Sequence, residues 1–185
     1  MRFASGFLLA AVGCSHEAPA TTTKDPCNDG GAYERVEVTD EACRSFTEAE
    51  SRGQVVVDAA RAPSWSSPPT KVPAAESPIL KWTKGTLARS SWQRWLRAIN
   101  PIGEAWAHGD TTGDAFVLTF RDPAGKALHR ALTTFTQYQP SSASWQKIKA
   151  AGAFSVTLTG VRFTVNVIAS GTKPTSATPI TVTVE

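Results

Sequence analysis

Few residues in this chain have types and spacings that could do chemistry. His108 stands in AWAHGDTTGD with Asp110 and Asp114, an imidazole and two carboxylates that a cation could use as ligands. Calcium takes about six to eight oxygens and a zinc site about three or four protein ligands. The calcium-loop spacing and the HExxH pattern do not occur in the sequence. The cluster is therefore read as loop polarity: no metal is expected, and His108, Asp110 and Asp114 remain the candidates should one bind. His16 lies in a polar N-terminal stretch, and His129, in LHRAL, is expected to point outward or to sit on a strand edge. No GxSxG elbow, phosphate loop or GxGxxG turn occurs, and the carboxylates are scattered. The expectation is a protein that is not an enzyme and carries no cofactor, with a metal-dependent enzyme around His108 as the lesser alternative.

The chain carries six tryptophans, Trp65, Trp82, Trp92, Trp95, Trp106 and Trp145. A large ring buries about 150–250 Å² and usually belongs to a core, whereas exposed rings stack on sugars. Trp82 and Trp145 are assigned to the core. Trp65, in a proline-rich stretch, admits either role, and with Trp92, Trp95 and Trp106 it forms the candidate binding set. In SSWQRWLRAINP, Trp92, Trp95, Leu96 and Ile99 fall on one helical stripe while Arg94 and Arg97 face away. Ser90 or Ser91 can cap this helix and Pro101 ends it. Packing across the β domain is expected, and a helix lying on a membrane is the alternative.

The elements that would position these residues are mostly strands. Val55–Val57 is β-branched, the five prolines between Pro63 and Pro78 exclude helix, and Ile79–Thr83 reads as a strand. Phe116, Leu118 and Phe120 alternate with Val117 and Thr119. Asp122-Pro123-Ala124-Gly125 suits a type I turn, followed by a second extended stretch over 128–138, so the two read as a hairpin. Ser144–Gly152 reads as a short helix capped by Ser and stopped by Gly. Phe154, Val156 and Leu158 alternate, as do Val161, Phe163, Val165 and Val167, and Ile180, Val182 and Val184 end the chain. About seven short strands separated by turns describe a β-sandwich.

At the N-terminus, Arg2 precedes the apolar run Phe3–Val12, in the order of a secretory signal. The run is shorter than the roughly 20 residues a spanning helix takes. LAAVGC, ending at Cys14, resembles the lipobox of bacterial lipoproteins, although Ala11 stands where Leu is commonest. The resemblance implies cleavage before Cys14, a diacylglycerol on its sulfur and a membrane as partner; several acyl chains hold firmly where one does not. Ser15 after the Cys, by resemblance to enterobacterial lipoproteins, implies the outer membrane of a Gram-negative cell envelope. With Cys14 so assigned, Cys27 and Cys43 remain as an even pair in an exported chain and read as a disulfide, since their spacing fits neither a CxxC redox pair nor zinc. The loop between them, with Tyr33, Val36 and Val38 alternating, reads as a small hairpin. Losing Arg2 lowers the formal net charge from +3 to +2, a surplus that offers no case for nucleic-acid binding.

SPILKWT, GDAFVLTFRDPAGKALHRALTTFTQYQP and SASWQKIKAAGAFSVTLTGV resemble strands of an immunoglobulin or fibronectin type III module, with Trp82 where such modules often place a core Trp. The whole is similar to uncharacterised surface lipoproteins of myxobacterium-like bacteria, which carry no known activity to transfer. The expected fold is mainly β, an immunoglobulin/fibronectin-III-like sandwich with a short helical insertion and a second short helix before a late strand. The expected organisation is a signal peptide over 1–13, a lipidated Cys and flexible tether over 14–26, a disulfide-closed segment over 27–53, and the sandwich over 54–185 with an insertion at 84–112. The expected function is a non-catalytic structural or adhesion role at the cell envelope. A module binding glycan, peptidoglycan or a protein ligand through exposed Trp is the alternative.

Overall fold

The computed structural model describes Cys27, residues 33–85 and residues 109–185. Cys14, the expected signal and tether, the expected Trp92/Trp95 helix, Trp106 and His108 lie outside the described residues. In chain order the first elements are β1 (Tyr33–Val36), α1 (Asp40–Ser51), β2 (Val56–Val57), β3 (Ser64–Trp65), β4 (Lys71–Val72) and β5 (Leu80–Thr83). They are followed by β6 (Gly113–Arg121), β7 (Ala127–Thr133), β8 (Gln137–Tyr138), α2 (Ser142–Lys149), β9 (Ala153–Thr164), β10 (Val167–Ile168), β11 (Thr175–Ser176) and β12 (Ile180–Val184). The protein is mainly β.

The frame is the antiparallel trio β7–β6–β9. The β6–β7 hairpin turns through Asp122–Gly125: the Gly125 N–H donates to the Asp122 carbonyl (2.9 Å), the Asp122 carboxylate accepts from the Lys126 N–H (2.8 Å), and Gly125 takes the left-handed conformation (φ 85°). That is a type I turn followed by a glycine bulge. β6 and β9 pair over nine positions, from Gly113↔Phe163 to Arg121↔Ser155. The other edge of β9 takes three short strands in succession: β12 at 153–156, β11 at 159–160 and β10 at 163–164. Three further strands add in parallel at the margins, β1 on β7, β4 on β12 and β2 on β11. A separate three-stranded sheet runs β3–β5–β8.

Side-chain alternation gives the large sheet a different core on each face. Phe116, Leu118, Phe120, Val156 and Leu158 face one way and meet Leu80, Trp82 and Tyr138 of the small sheet with Trp145 and Ile148 of α2. Ring contacts run through this layer: Trp65–Trp82 at 6.0 Å, Trp82–Phe116 at 5.5 Å, Phe120–Phe154 at 5.9 Å and Trp145–Phe154 at 6.1 Å. Ala115, Val117, Leu132, Val161 and Phe163 face the other way, against Phe46, Ala42 and the Cys27–Cys43 disulfide. The cystine has a Cα–Cα distance of 5.7 Å, and both cysteines are fully buried.

The structure departs from the sequence pattern in three places. The chain between the cysteines is not a hairpin: β1 finds its partner in distant β7, and helix α1 begins before Cys43. Thr39 caps that helix by accepting from the Ala42 N–H (3.2 Å), and Asp40 and Glu41 occupy the first turn, where carboxylates suit the helix dipole. The extended stretch 128–138 is two strands in two different sheets, split after Thr133. The rhythm of Val165 and Val167 does not continue β9, because Val165 (φ 48°) and Asn166 (φ 65°) make a tight turn into β10. A β-branched residue at positive φ is strained. Asn166 holds the turn, its Oδ1 accepting from the Thr111 N–H (2.6 Å) and the Thr39 hydroxyl (2.7 Å) and its Nδ2 donating to Asp110 (2.6 Å).

Because the two faces of one sheet are buried independently, Phe116→Ala and Phe46→Ala should each lower stability by roughly 3–5 kcal/mol. Their effects should add, since they share no partner. Thermal melts of the singles and the double check this. A loss nearer 0.5 kcal/mol for either one would mean that its face is not core.

Candidate functional site

A histidine, a tyrosine, a glutamate and two serines come together where β1, β7, β8 and the start of α2 meet. Parallel pairing sets Glu34 of β1 beside Ala131 of β7, on the aromatic face of the sheet. Two residues along β7, His129 lies opposite Phe120 and projects onto the same face. β8 turns Tyr138 inward, buried among the aromatic side chains, while α2 delivers its cap residue Ser141 and its first-turn Ser144. The His129 Nε2 and the Tyr138 hydroxyl are 2.7 Å apart. The Ser144 hydroxyl donates to Glu34 Oε2 at 2.7 Å, the Ser141 hydroxyl reaches the same oxygen at 3.2 Å, and His129 Nε2 lies 3.5 Å from it.

Burial dominates the electrostatics of this group. The His129 side chain is only 8% exposed. Desolvation holds its pKa below the usual 6.5, Glu34 pulls it up and Lys147 pushes it down further. Tyr138 is pushed well above the ordinary phenol range, first by burial and then by the Glu34 carboxylate beside it. At neutral pH the cluster therefore holds a neutral imidazole and a neutral phenol on one carboxylate. Ser144 donates to Glu34 and not to the imidazole, and the hydroxyl that the ring nitrogen meets is that of Tyr138, whose ionisation burial opposes. The cluster is suited to holding position.

A cleft of about 310 Å³ opens beside this cluster, at the low end of the range of about 300–1,000 Å³ seen for small-molecule sites. Glu34 and Val36 of β1 form one wall. Thr133, Phe135, Gln137 and Gln139 form the other, while Tyr138, on the opposite phase, turns inward. Ile79 and Phe135 are 54% and 50% exposed, the large apolar side chains of this wall that remain in solvent.

Those residues singled out from sequence that are described are placed elsewhere. Asp114 is paired with Arg162, whose Nε donates at 2.8 Å, and with Lys84 at 3.9 Å, while Asp110 serves Asn166. Among the described residues no group of three or more His, Cys, Asp or Glu could hold a metal ion. Trp82 and Trp145 are buried, as expected. Trp65 is half-buried, edge-on to Trp82, with its indole N–H enclosed and unpartnered. His129 is not an outward residue. The segment FTQYQP carries the sequence signal for the cleft: Phe135, Gln137 and Gln139 alternate against inward Tyr138. No helix among the described residues is long and apolar enough to cross a membrane. No protein-family model matches the chain, and neither a curated protein nor a solved structure proves similar to it.

The depressed pKa of His129 carries a pH signature. Below pH 6.5 the unfolded chain takes up a proton that the folded imidazole refuses, so stability falls as pH drops from 6.5 through the folded pKa. Melting curves of wild type and His129→Gln should diverge in that interval, with wild type losing more. The groups facing the ring, Glu34, Tyr138, Ser144 and Lys147, are common to both proteins. Parallel curves would remove His129 as the titrating group.

Proposed function

We propose that the chain is an exported, lipid-anchored protein of the cell envelope, held in the outer membrane by acyl chains on Cys14, with its β domain serving a non-catalytic structural or adhesion role. The observation that carries this reading is the Cys27–Cys43 disulfide, fully buried between α1 and the large sheet. Such bonds form and persist outside reducing compartments. Pairing these two leaves Cys14 as the remaining thiol of the three, at the end of the apolar run Phe3–Val12.

For the β domain we favour a sandwich in the manner of immunoglobulin or fibronectin type III modules. The support is the shared aromatic core between the antiparallel trio and the β3–β5–β8 sheet, with Trp82 in its midst. The parallel additions β1, β2 and β4 and the helix covering the other face would be elaborations on that plan. Glycan binding through exposed tryptophans gains no support from Trp65, Trp82 or Trp145. Metal-dependent catalysis gains none from Asp110 and Asp114, which have protein partners.

Expressed in a Gram-negative host fed labelled palmitate, the full chain should take up label and partition with membranes. Cys14→Ala should abolish both. Label persisting on the mutant protein would overturn the anchor.

A further inference from the structure

We propose that the cleft between β1 and the 133–139 segment is a binding site for a neutral oligosaccharide, with Phe135 as the stacking platform and Gln137, Gln139 and Glu34 as the hydroxyl-reading groups. The inference stands on the cleft alone and holds whether or not Cys14 is lipidated.

The chemistry of the walls selects the ligand. A half-exposed phenyl ring in an open cleft offers a flat apolar face, to which the C–H face of a pyranose ring is complementary. Planar amides and a carboxylate beside it can each engage vicinal hydroxyls, an amide by donating and accepting, a carboxylate by accepting twice. Gln137 is exposed and makes no side-chain hydrogen bond among the described residues. Gln139 spends one N–H on the Ser77 carbonyl (3.1 Å), which steadies it while its amide oxygen remains able to accept. Glu34 is steadied in the same way by Ser144 and Ser141. The platform is also fixed from behind, because the Thr133 hydroxyl accepts from the Phe135 N–H at 3.1 Å.

Charge and shape narrow the class. The cleft is lined by one anion and no cation, so a phosphate, sulfate or nucleic acid would meet repulsion and no partner. Beyond Ile79 and Gln139, which line both, lies a second and more open hollow of about 790 Å³ bordered by Pro73, Pro78 and Pro140. A continuous track of this kind suits a chain of sugar rings better than a single one.

The test titrates the purified full-length chain in detergent with a panel of neutral tetrasaccharides, namely chitotetraose, cellotetraose, mannotetraose and maltotetraose. Binding is read by calorimetry and by saturation-transfer NMR of the sugar protons. At least one should bind saturably. Phe135→Ala should weaken that binding about tenfold or more, Phe135→Tyr should restore it, and Gln137→Ala should weaken it with an unchanged melting temperature. Val57→Ser, on an exposed edge away from the cleft, should bind as wild type does. No saturable binding to any member of the panel would overturn the proposal. So would binding that survives both Phe135→Ala and Gln137→Ala within twofold. Saturable binding of extended peptides with none of sugars would identify the cleft as a peptide site and refute the saccharide assignment.

Discussion

The register between β6 and β9 is the constraint on which the rest of the molecule depends. Along nine paired positions, even-numbered residues of both strands face the aromatic layer and odd-numbered residues face α1 and the disulfide. A slip of one residue would turn one strand over against the other, setting Phe116 and Phe120 on the same face as Val161 and Phe163, and Val117 on the same face as Val156 and Leu158. Neither compartment would fit the volume it received. The pairing Asp114↔Arg162 marks the same register electrostatically, since both side chains are largely buried and Asp114 is the counter-ion of Arg162. Breaking it would leave a charge without compensation in a poorly solvated place.

From that frame the position of the cleft follows. β7 leaves the large sheet at Thr133 and the chain re-enters as β8 in the small one, so residues 134–136 must bridge the edges of two sheets. A bridge of this kind cannot satisfy a ladder on both sides, and the space beside it stays open as the cleft. The edge also explains the polar cluster. Glu34 occupies the outermost strand on a face otherwise filled with aromatic rings, and an unpaired carboxylate there would be costly. The two serines at the start of α2 and the Tyr138 hydroxyl receive it, and His129 completes the group in a state that carries no charge of its own.

What the sequence made legible was local. The β6–β7 turn is written in DPAG, α2 in the run that stops at Gly152, although the helix starts at Ser142 with Ser141 as its cap and not at Ser144, and the strands in their alternation. Cysteine parity pointed to the disulfide that closes on α1. Helix α1 itself was hidden because its buried stripe is Ala42, Cys43, Phe46 and Ala49, a set with little hydrophobic contrast in which Phe46 is the sole large apolar side chain. The three parallel pairings join segments far apart in sequence, and nothing local in Tyr33–Val36 names β7 as its partner. The burial of His129 is hidden in the sequence for a related reason. An alternating strand assigns faces but does not reveal whether a second sheet covers a given face, and here Tyr138 and α2 cover the one it occupies. Tryptophan content points to other residues, whereas the exposed aromatic ring of the cleft is a phenylalanine set among amides.

The disulfide also determines how a tether would load the domain. Under the lipid-anchor proposal, tension from the membrane enters through the chain preceding Cys27. The Cys27–Cys43 bond then carries that tension directly to α1, bypassing the residues between the two cysteines. β1 lies inside this bypassed loop, so its parallel pairing with β7 is spared the pull, and with it the placement of Glu34 in the polar cluster and in the wall of the cleft. The load falls instead on α1, which is held broadside by Phe46 and Ala42 against the sheet and by the hydrogen bond from the Ile168 N–H to the Ser45 hydroxyl (3.2 Å). An edge strand held by a four-residue ladder would be a poor anchorage, whereas a capped helix buried along one face distributes the force over a core. In such an arrangement the covalent link does more than stabilise the fold by about 3 kcal/mol through loop closure. It keeps the element that builds the cleft out of the mechanical path between the cleft and the membrane.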